Sequence, residues 1–206
     1  MFRPGGVELT RMMIEASGLP PGSKLMDVGC GDGGTVRFLR ELGYDAAGID
    51  AEIPKDCESR RGLPIRIGAA SALPCRDSEL DGVLCECVMS LIDRPETSLR
   101  EFRRALRPGG ALMISDVYSR AGGGRTSGYV KHVRALGEIS RSVGGSGFSI
   151  ERFEDCSRAL ESMAAQMMMD HGSEGLRGKY RIDCGEMRYL KSGYFWLVAR
   201  AEERQG

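Results

Sequence analysis

A chain of 206 residues is long enough to bury a substantial core as one domain. Its 29 basic and 29 acidic side chains cancel, which argues against the basic footprint of a nucleic-acid binder. No apolar run approaches the roughly 20 residues that span a bilayer, and the first ten residues lack the apolar stretch of a secretory leader. The expectation is a cytoplasmic protein with neither nucleic-acid nor membrane partners.

In chain order, Lys24 to Val28 (KLMDV) reads as a short apolar strand running into a glycine-rich loop. Thr35 to Leu42 reads as a helix, with Thr35 as N-cap and Gly43 at the C′ position. Ala46 to Ile49 is a second strand ending at Asp50, Ile65 to Gly68 a short third, and Leu80 to Cys87 a fourth. Pro95 opens a helix with Leu99, Phe102 and Leu106 on one face. Pro108-Gly109-Gly110 stops that helix, and Ala111 to Ser115 is a fifth strand. Strands alternating with helices over this stretch predict a parallel sheet covered by helices on both faces.

Beyond Asp116 the pattern loosens. Ser119 to Gly128 reads as a mobile loop and Tyr129 to Val143 as a helix. Phe148 to Phe153 alternates like a strand, and Ser157 to His171 reads as a helix with Leu160, Ala164, Met167 and Met168 inward. Tyr194 to Ala199 (YFWLVA) closes the chain as a buried strand. The seven cysteines contain no C-x-x-C pair. In a strand, Cys85 and Cys87 would share a face and would not form an ordinary disulfide. Reduced thiols packed as small hydrophobes are expected, with no metal assigned; a soft-metal role for this pair stays open.

The loop LMDVGCGDGG, Leu25 to Gly34, carries the chemistry. In open α/β sheets ligands sit beyond the carboxyl ends of the strands, at the topological switch point, and the first strand–helix loop lies there. Glycines at 29, 31 and 34 fit G-x-G-x-x-G, and Asp50 at the end of the second strand is placed to accept ribose hydroxyls. These features fit a nicotinamide dinucleotide or another adenosyl ligand. Asp27 separates the two, because a carboxylate beside the loop is unfavourable near a pyrophosphate and favourable near an ammonium or sulfonium.

DVGCGDGG resembles the first motif of the class I S-adenosylmethionine-dependent methyltransferases, of the type 11-like domain. GIDAE resembles their acidic second motif, ALPCRDSELDGVLCECVMSL their ALPF-x-D-x-x-FD-x-V block, and LRPGGALMISD their PGG strand block, in order and spacing across residues 24 to 116. The resemblance implies a single-domain Rossmann-like fold with a doubly wound, mostly parallel seven-stranded sheet and an antiparallel last strand. It implies a cofactor-binding core over 24–116, an N-terminal helical cap over 1–23, and acceptor-side and closing segments over 117–206. The implied cofactor is S-adenosyl-L-methionine. Gly29, Gly31 and Gly33 would let the backbone pass under its methionine moiety, and Asp27 would orient the ammonium. Asp50 would hold the ribose, Ala51 would pack on the adenine, Ala70 and Ser71 would meet the adenine edge, and Cys85 and Glu86 would lie beside the methionine. Where the family often carries Asp, this chain has Ala69.

Methyl transfer from an activated sulfonium needs alignment and exclusion of water more than side-chain chemistry. A general base is required only if the acceptor loses a proton at that step; the candidates are Asp116, Tyr118 and His132. The N-terminal helix, the 119–128 loop and the segment after Gly172 are expected to shape a site for a small-molecule acceptor. Two other readings compete, a non-catalytic S-adenosylmethionine-binding protein and a nicotinamide-dependent oxidoreductase. The second lacks a Tyr-x-x-x-Lys pair. The sequence leaves the oligomeric state open.

Overall fold

The computed structural model describes residues 3–52, 60–179 and 181–203; Cys57 lies outside them. The parallel part of the sheet is made of β1 (Lys24–Val28), β2 (Asp45–Asp50), β3 (Ile65–Ile67), β4 (Leu80–Glu86) and β5 (Leu106–Ser119). Two later strands, β8 (Phe148–Asp155) and β9 (Ser192–Ala201), complete seven in the order β3-β2-β1-β4-β5-β9-β8, with β9 antiparallel to both neighbours. The chain winds outward from β1 to β3, then crosses to β4 on the other side of β1. That crossing is the switch point, between the ends of β1 and β4.

Period-two alternation divides the core into two layers. One face of the sheet sends Val28, Val83, Cys85 and Ile114 against Leu99 and Phe102 of α3 (Pro95–Ala105) and Val143 of α4 (Leu136–Gly144). The other sends Leu25, Leu84 and Met113 against Leu9, Met13 and Ile14 of α1 (Gly6–Ser17) and Val36 and Leu39 of α2 (Gly34–Glu41). Gly48 lets α2 approach closely, since a Cβ there would lie 2.8 Å from both Cys30 and Val36.

Several predicted boundaries move. Helix α2 begins at Gly34, with Gly33 in the N-cap position at φ +78°, so Thr35 is no cap; its side chain is buried beside the site. Asp32 holds the turn by accepting from Gly34 N–H at 3.0 Å. Helix α3 ends at Ala105, ahead of Pro108, and β5 begins with an irregular stretch whose pairing to β4 shifts between Leu80 and Gly82. At its far end β5 continues through Asp116 and Tyr118 to Ser119 because β9 pairs with it throughout.

The predicted 129–143 helix is two elements. Its first part is β7 (His132–Val133), paired to β6 (Gly124–Arg125) inside the expected loop, and only Leu136–Gly144 is helical. Helix α5 (Ser157–Lys179) breaks at Gly172, which has φ +63° and ψ 176°. Met167 is buried as expected, whereas Ala164 and Met168 are exposed. A short α6 (Cys184–Tyr189), capped by the Asp183 carboxylate, was not foreseen.

Candidate cofactor site

Three glycines shape the loop after β1. Gly29, Gly31 and Gly33 all have positive φ, +77°, +52° and +78°. A Cβ on Gly29 would collide with Val88 Cγ2 at 2.1 Å, and one on Gly33 with Ile65 Cδ1 at 2.4 Å. A Cβ on Gly31 would meet no atom of the described residues within 4 Å. Two of these glycines therefore serve packing, and the middle one leaves its surface open.

Asp50 closes the other side. Its Oδ2 accepts the Gly31 N–H at 2.8 Å and its Oδ1 accepts the Glu52 N–H at 3.0 Å. A carboxylate offers about four acceptor positions, so two on this partly exposed group are used in fixing loops and others stay available. Ala51 is exposed beside it. Across the sheet edge, Ala69 and Ala72 pair to form a tight turn that leaves Ser71 exposed and packs Ala70 against the core.

Beneath the loop two carboxylates share the face covered by α1 and α2. Glu86, at the end of β4, is buried and paired with the Arg3 guanidinium from the N-terminal segment. Thr10 Oγ1 of α1 donates to Glu86 at 3.1 Å and Thr35 Oγ1 of α2 lies 3.4 Å from it. Burial raises the Glu86 pKa, and Arg3 with the two threonines limits the rise. Asp27 is also buried, and its Oδ2 has no hydrogen-bond partner among the described residues. Burial first, then the nearby Glu86 charge, hold its pKa well above the usual carboxylate range, with Arg3 pulling the other way. A buried polar atom without a partner is costly, and this one sits where a cation would satisfy it.

Cys85 departs from expectation. Strand alternation turns its thiol into the α3 face, fully buried, so only its backbone borders the site. Cys87 does not share that face: β4 ends at Glu86, and Cys87 takes φ +58° and packs with the opposite layer. Its Sγ lies 2.9 Å from Tyr194 Oη, which donates to Ser115 Oγ at 3.1 Å. Burial pushes the Cys87 thiol up to about 12. The six described cysteines are all free, and no group of three or more metal-ligating side chains occurs among the described residues.

Each of the three general-base candidates is held by contacts of its own. The Asp116 carboxylate is buried on the α3 face, accepting from Ser90 N–H and Val117 N–H, each at 2.7 Å. With Arg134, which donates to Met89 O and Ile92 O, it staples the turn after β4. His132 lies in β7 rather than on a surface helix, largely buried and 3.6 Å from Asp93. Burial and neighbouring arginines lower its pKa. Asp116 and His132 line one cavity of about 20 Å³, room for a water. Tyr118 donates to Asp155 and packs edge-on against Phe195, on the sheet face away from Asp27.

Sequence reasoning missed Arg3, Thr10 and Thr35, because nothing local marks residues that meet only in the fold. It also missed two backbone bonds that tie distant segments together, Tyr129 N–H donating to Arg181 O at 2.7 Å and Lys131 N–H to Ser90 O at 3.2 Å.

Residues 26–114 match the sequence profile of the family described as the methyltransferase domain. Over that stretch the chain is similar to methyltransferase domains. It is 28% identical to the demethylmenaquinone methyltransferase of Renibacterium salmoninarum over 109 residues, 52% of this chain and 46% of that protein. The chain thus matches about half the length of that relative. Among solved structures, the [4+2]-cyclase SpnF superimposes with a TM-score of 0.73 at 27% identity, covering 96% of this chain and 81% of that one. A geranyl diphosphate methyltransferase in complex with S-adenosylmethionine superimposes with a TM-score of 0.78 at 14% identity, covering 94% and 84%; that likeness is one of fold. No described helix is long and apolar enough to cross a membrane.

Proposed function

We propose that the protein transfers a methyl group from S-adenosyl-L-methionine to a small-molecule acceptor. The observation that carries this reading is the buried Asp27 oxygen, without a partner among the described residues, at the end of the strand that runs into the glycine loop. That carboxylate would repel a pyrophosphate and would satisfy the ammonium of an amino-acid tail. Asp50, at the end of β2, would accept from the ribose hydroxyls, with Ala51, Ala70 and Ser71 along the adenine. The cofactor supplies an activated sulfonium methyl. The chain's part is to bind it, align an acceptor behind it and exclude water.

Asp116, Tyr118 and His132 are engaged in structural contacts, which favours an acceptor that needs no protein base at the transfer step. The relative's name gives demethylmenaquinone as that protein's substrate, a single organic molecule and not a protein or nucleic acid, which supports the same broad class of acceptor for this one. The 119–134 and 181–190 segments would form the acceptor wall.

A second reading follows from the solved neighbour that is a [4+2]-cyclase: a fold of this kind holding the adenosyl ligand without spending its methyl group. Incubation with methyl-labelled S-adenosylmethionine and pooled small-molecule fractions separates the two. Label passing into a new product with equimolar S-adenosylhomocysteine supports methyl transfer, with Asp50→Ala as the blank. Tight binding with no S-adenosylhomocysteine from any fraction supports the second.

A further inference from the structure

Tyr129 leaves an aromatic ring 55% exposed, in a segment that is tied down on both sides. Its N–H donates to Arg181 O at 2.7 Å, and two residues on Lys131 N–H donates to Ser90 O, in the turn after β4, at 3.2 Å. Within the segment Thr126 N–H donates to Lys131 O at 3.1 Å, and Ser127 N–H donates to Glu186 Oε2 at 2.9 Å. The approach to residue 181 is close enough to need glycine at 128, where a Cβ would lie 2.2 Å from Arg181 O. Arg181 itself takes a left-handed φ of +53°, which is unfavourable for a residue with a side chain. The strap therefore holds an exposed ring in one place.

That place lies over the carboxyl ends of the central strands. Partial burial first, then Asp50, Cys87, Asp116 and Glu52 in that order, raise the Tyr129 pKa, so its hydroxyl is within electrostatic reach of all four. Asp50 ends β2 and Glu52 follows it, Cys87 follows β4, and Asp116 belongs to β5. One side chain reaches groups from these three strands only from above the crevice where the strand order reverses. Asp50 acts on it most strongly of the four, and Glu52 stands on the same side, which puts the ring nearest the end of β2. The exposed part of that ring is apolar surface left in water, and covering it with a ligand is favourable. We infer that the Tyr129 ring closes over the bound cofactor beside Asp50 and shields that side of the cleft from water, an inference that rests on the S-adenosylmethionine reading above. The segment between β5 and α4 thereby belongs to the cofactor site as well as to the acceptor side.

The test uses the full chain and S-adenosylhomocysteine. Tetranitromethane nitrates accessible tyrosines, and peptide mass spectrometry reads Tyr129 against Tyr189, which is 83% exposed and serves as the internal reference. Saturating S-adenosylhomocysteine should slow nitration of Tyr129 several-fold and leave Tyr189 unchanged. Calorimetric titration of Tyr129→Ala and Tyr129→Phe then separates the ring from the hydroxyl. Covering the exposed half of the ring predicts about 4- to 12-fold weaker binding for Tyr129→Ala, with Tyr129→Phe within about twofold of the wild type. Nitration of Tyr129 that ignores the ligand, equal protection of Tyr129 and Tyr189, or Tyr129→Ala binding like the wild type would each overturn the inference. A loss in Tyr129→Phe equal to that in Tyr129→Ala would overturn it in favour of a contact made by the hydroxyl. If Tyr129→Ala does not fold, the nitration of the wild type decides. A wild type that shows no binding of S-adenosylhomocysteine by calorimetry would overturn the cofactor reading itself, and this inference with it.

Discussion

Replacing Gly31 by alanine adds one methyl group at a point where the described residues offer no neighbour within 4 Å. The Gly31 N–H that donates to Asp50 is retained. The folded state pays about 1–2 kcal/mol for a side chain at φ +52°. The less flexible unfolded chain returns about 0.4–1 kcal/mol of that. The net loss is about 1 kcal/mol, a fall in Tm of about 2–4 °C for a chain of this size. The affinity loss is larger, because the methyl group stands on the surface the cofactor would cover. Overpacking of about 1–3 kcal/mol corresponds to about a 5- to 150-fold weaker S-adenosylhomocysteine complex. Gly33→Ala reverses the balance. Its Cβ would lie 2.4 Å from Ile65 Cδ1 and 2.9 Å from Leu63 Cδ1, so stability falls by about 2–4 kcal/mol from strain and overpacking together. Calorimetric unfolding and ligand titration on both variants read the two effects separately. Gly31→Ala binding S-adenosylhomocysteine within twofold of wild type would refute the placement of the ligand over this loop.

Asp116 makes the stability pH-dependent: burial, opposed by the Ser90 and Val117 N–H bonds, raises its pKa from 3.8 to about 6. Its stabilising contribution is fully present below pH 3.8 and is lost as pH rises through about 6, a change of about 3 kcal/mol. Asp116→Asn should therefore gain stability relative to wild type between pH 4 and 7, and a difference in unfolding free energy that is flat with pH would contradict this. Phe102→Ala empties a fully buried site between α3 and the sheet and should cost about 3–5 kcal/mol in urea unfolding; a loss below about 1 kcal/mol would mean that the α3 layer is not packed as described.

What the sequence showed and what it hid divides along a physical line. Residues 24 to 116 were legible because each strand is a buried apolar run and each turn needs glycine or proline, so KLMDV, AAGI and PGG announce themselves locally. The glycine loop and Asp50 were legible for the same reason, since their spacing along one βα unit is their geometry. The stretch after Asp116 was not. Strand β5 runs on to Ser119 only because β9, some eighty residues later, pairs with it, and no local pattern records that. His132 looked helical because Tyr129 to Val143 has helical spacing, while pairing to Gly124–Arg125 and the staple at Ser90 hold it extended. Cys87 was assigned to the face of Cys85 on strand alternation, which fails at one residue in left-handed conformation. Arg3 was invisible for the plainest reason: its partners Thr10, Thr35 and Glu86 come from three separate elements.

The most direct measurement is thermal unfolding of the full chain with S-adenosylmethionine, S-adenosylhomocysteine, NAD or NADP, each added singly at millimolar concentration. A ligand at about 100 times its dissociation constant stabilises by about 2.7 kcal/mol, a shift of several degrees for a chain of this size. Asp27, Gly31 and Asp50 together predict a rise with the two adenosyl-sulfur compounds and none with the dinucleotides. A rise with NAD or NADP alone would mean that the buried Asp27 carboxylate does not face the ligand, and would contradict the methyltransferase reading at its base.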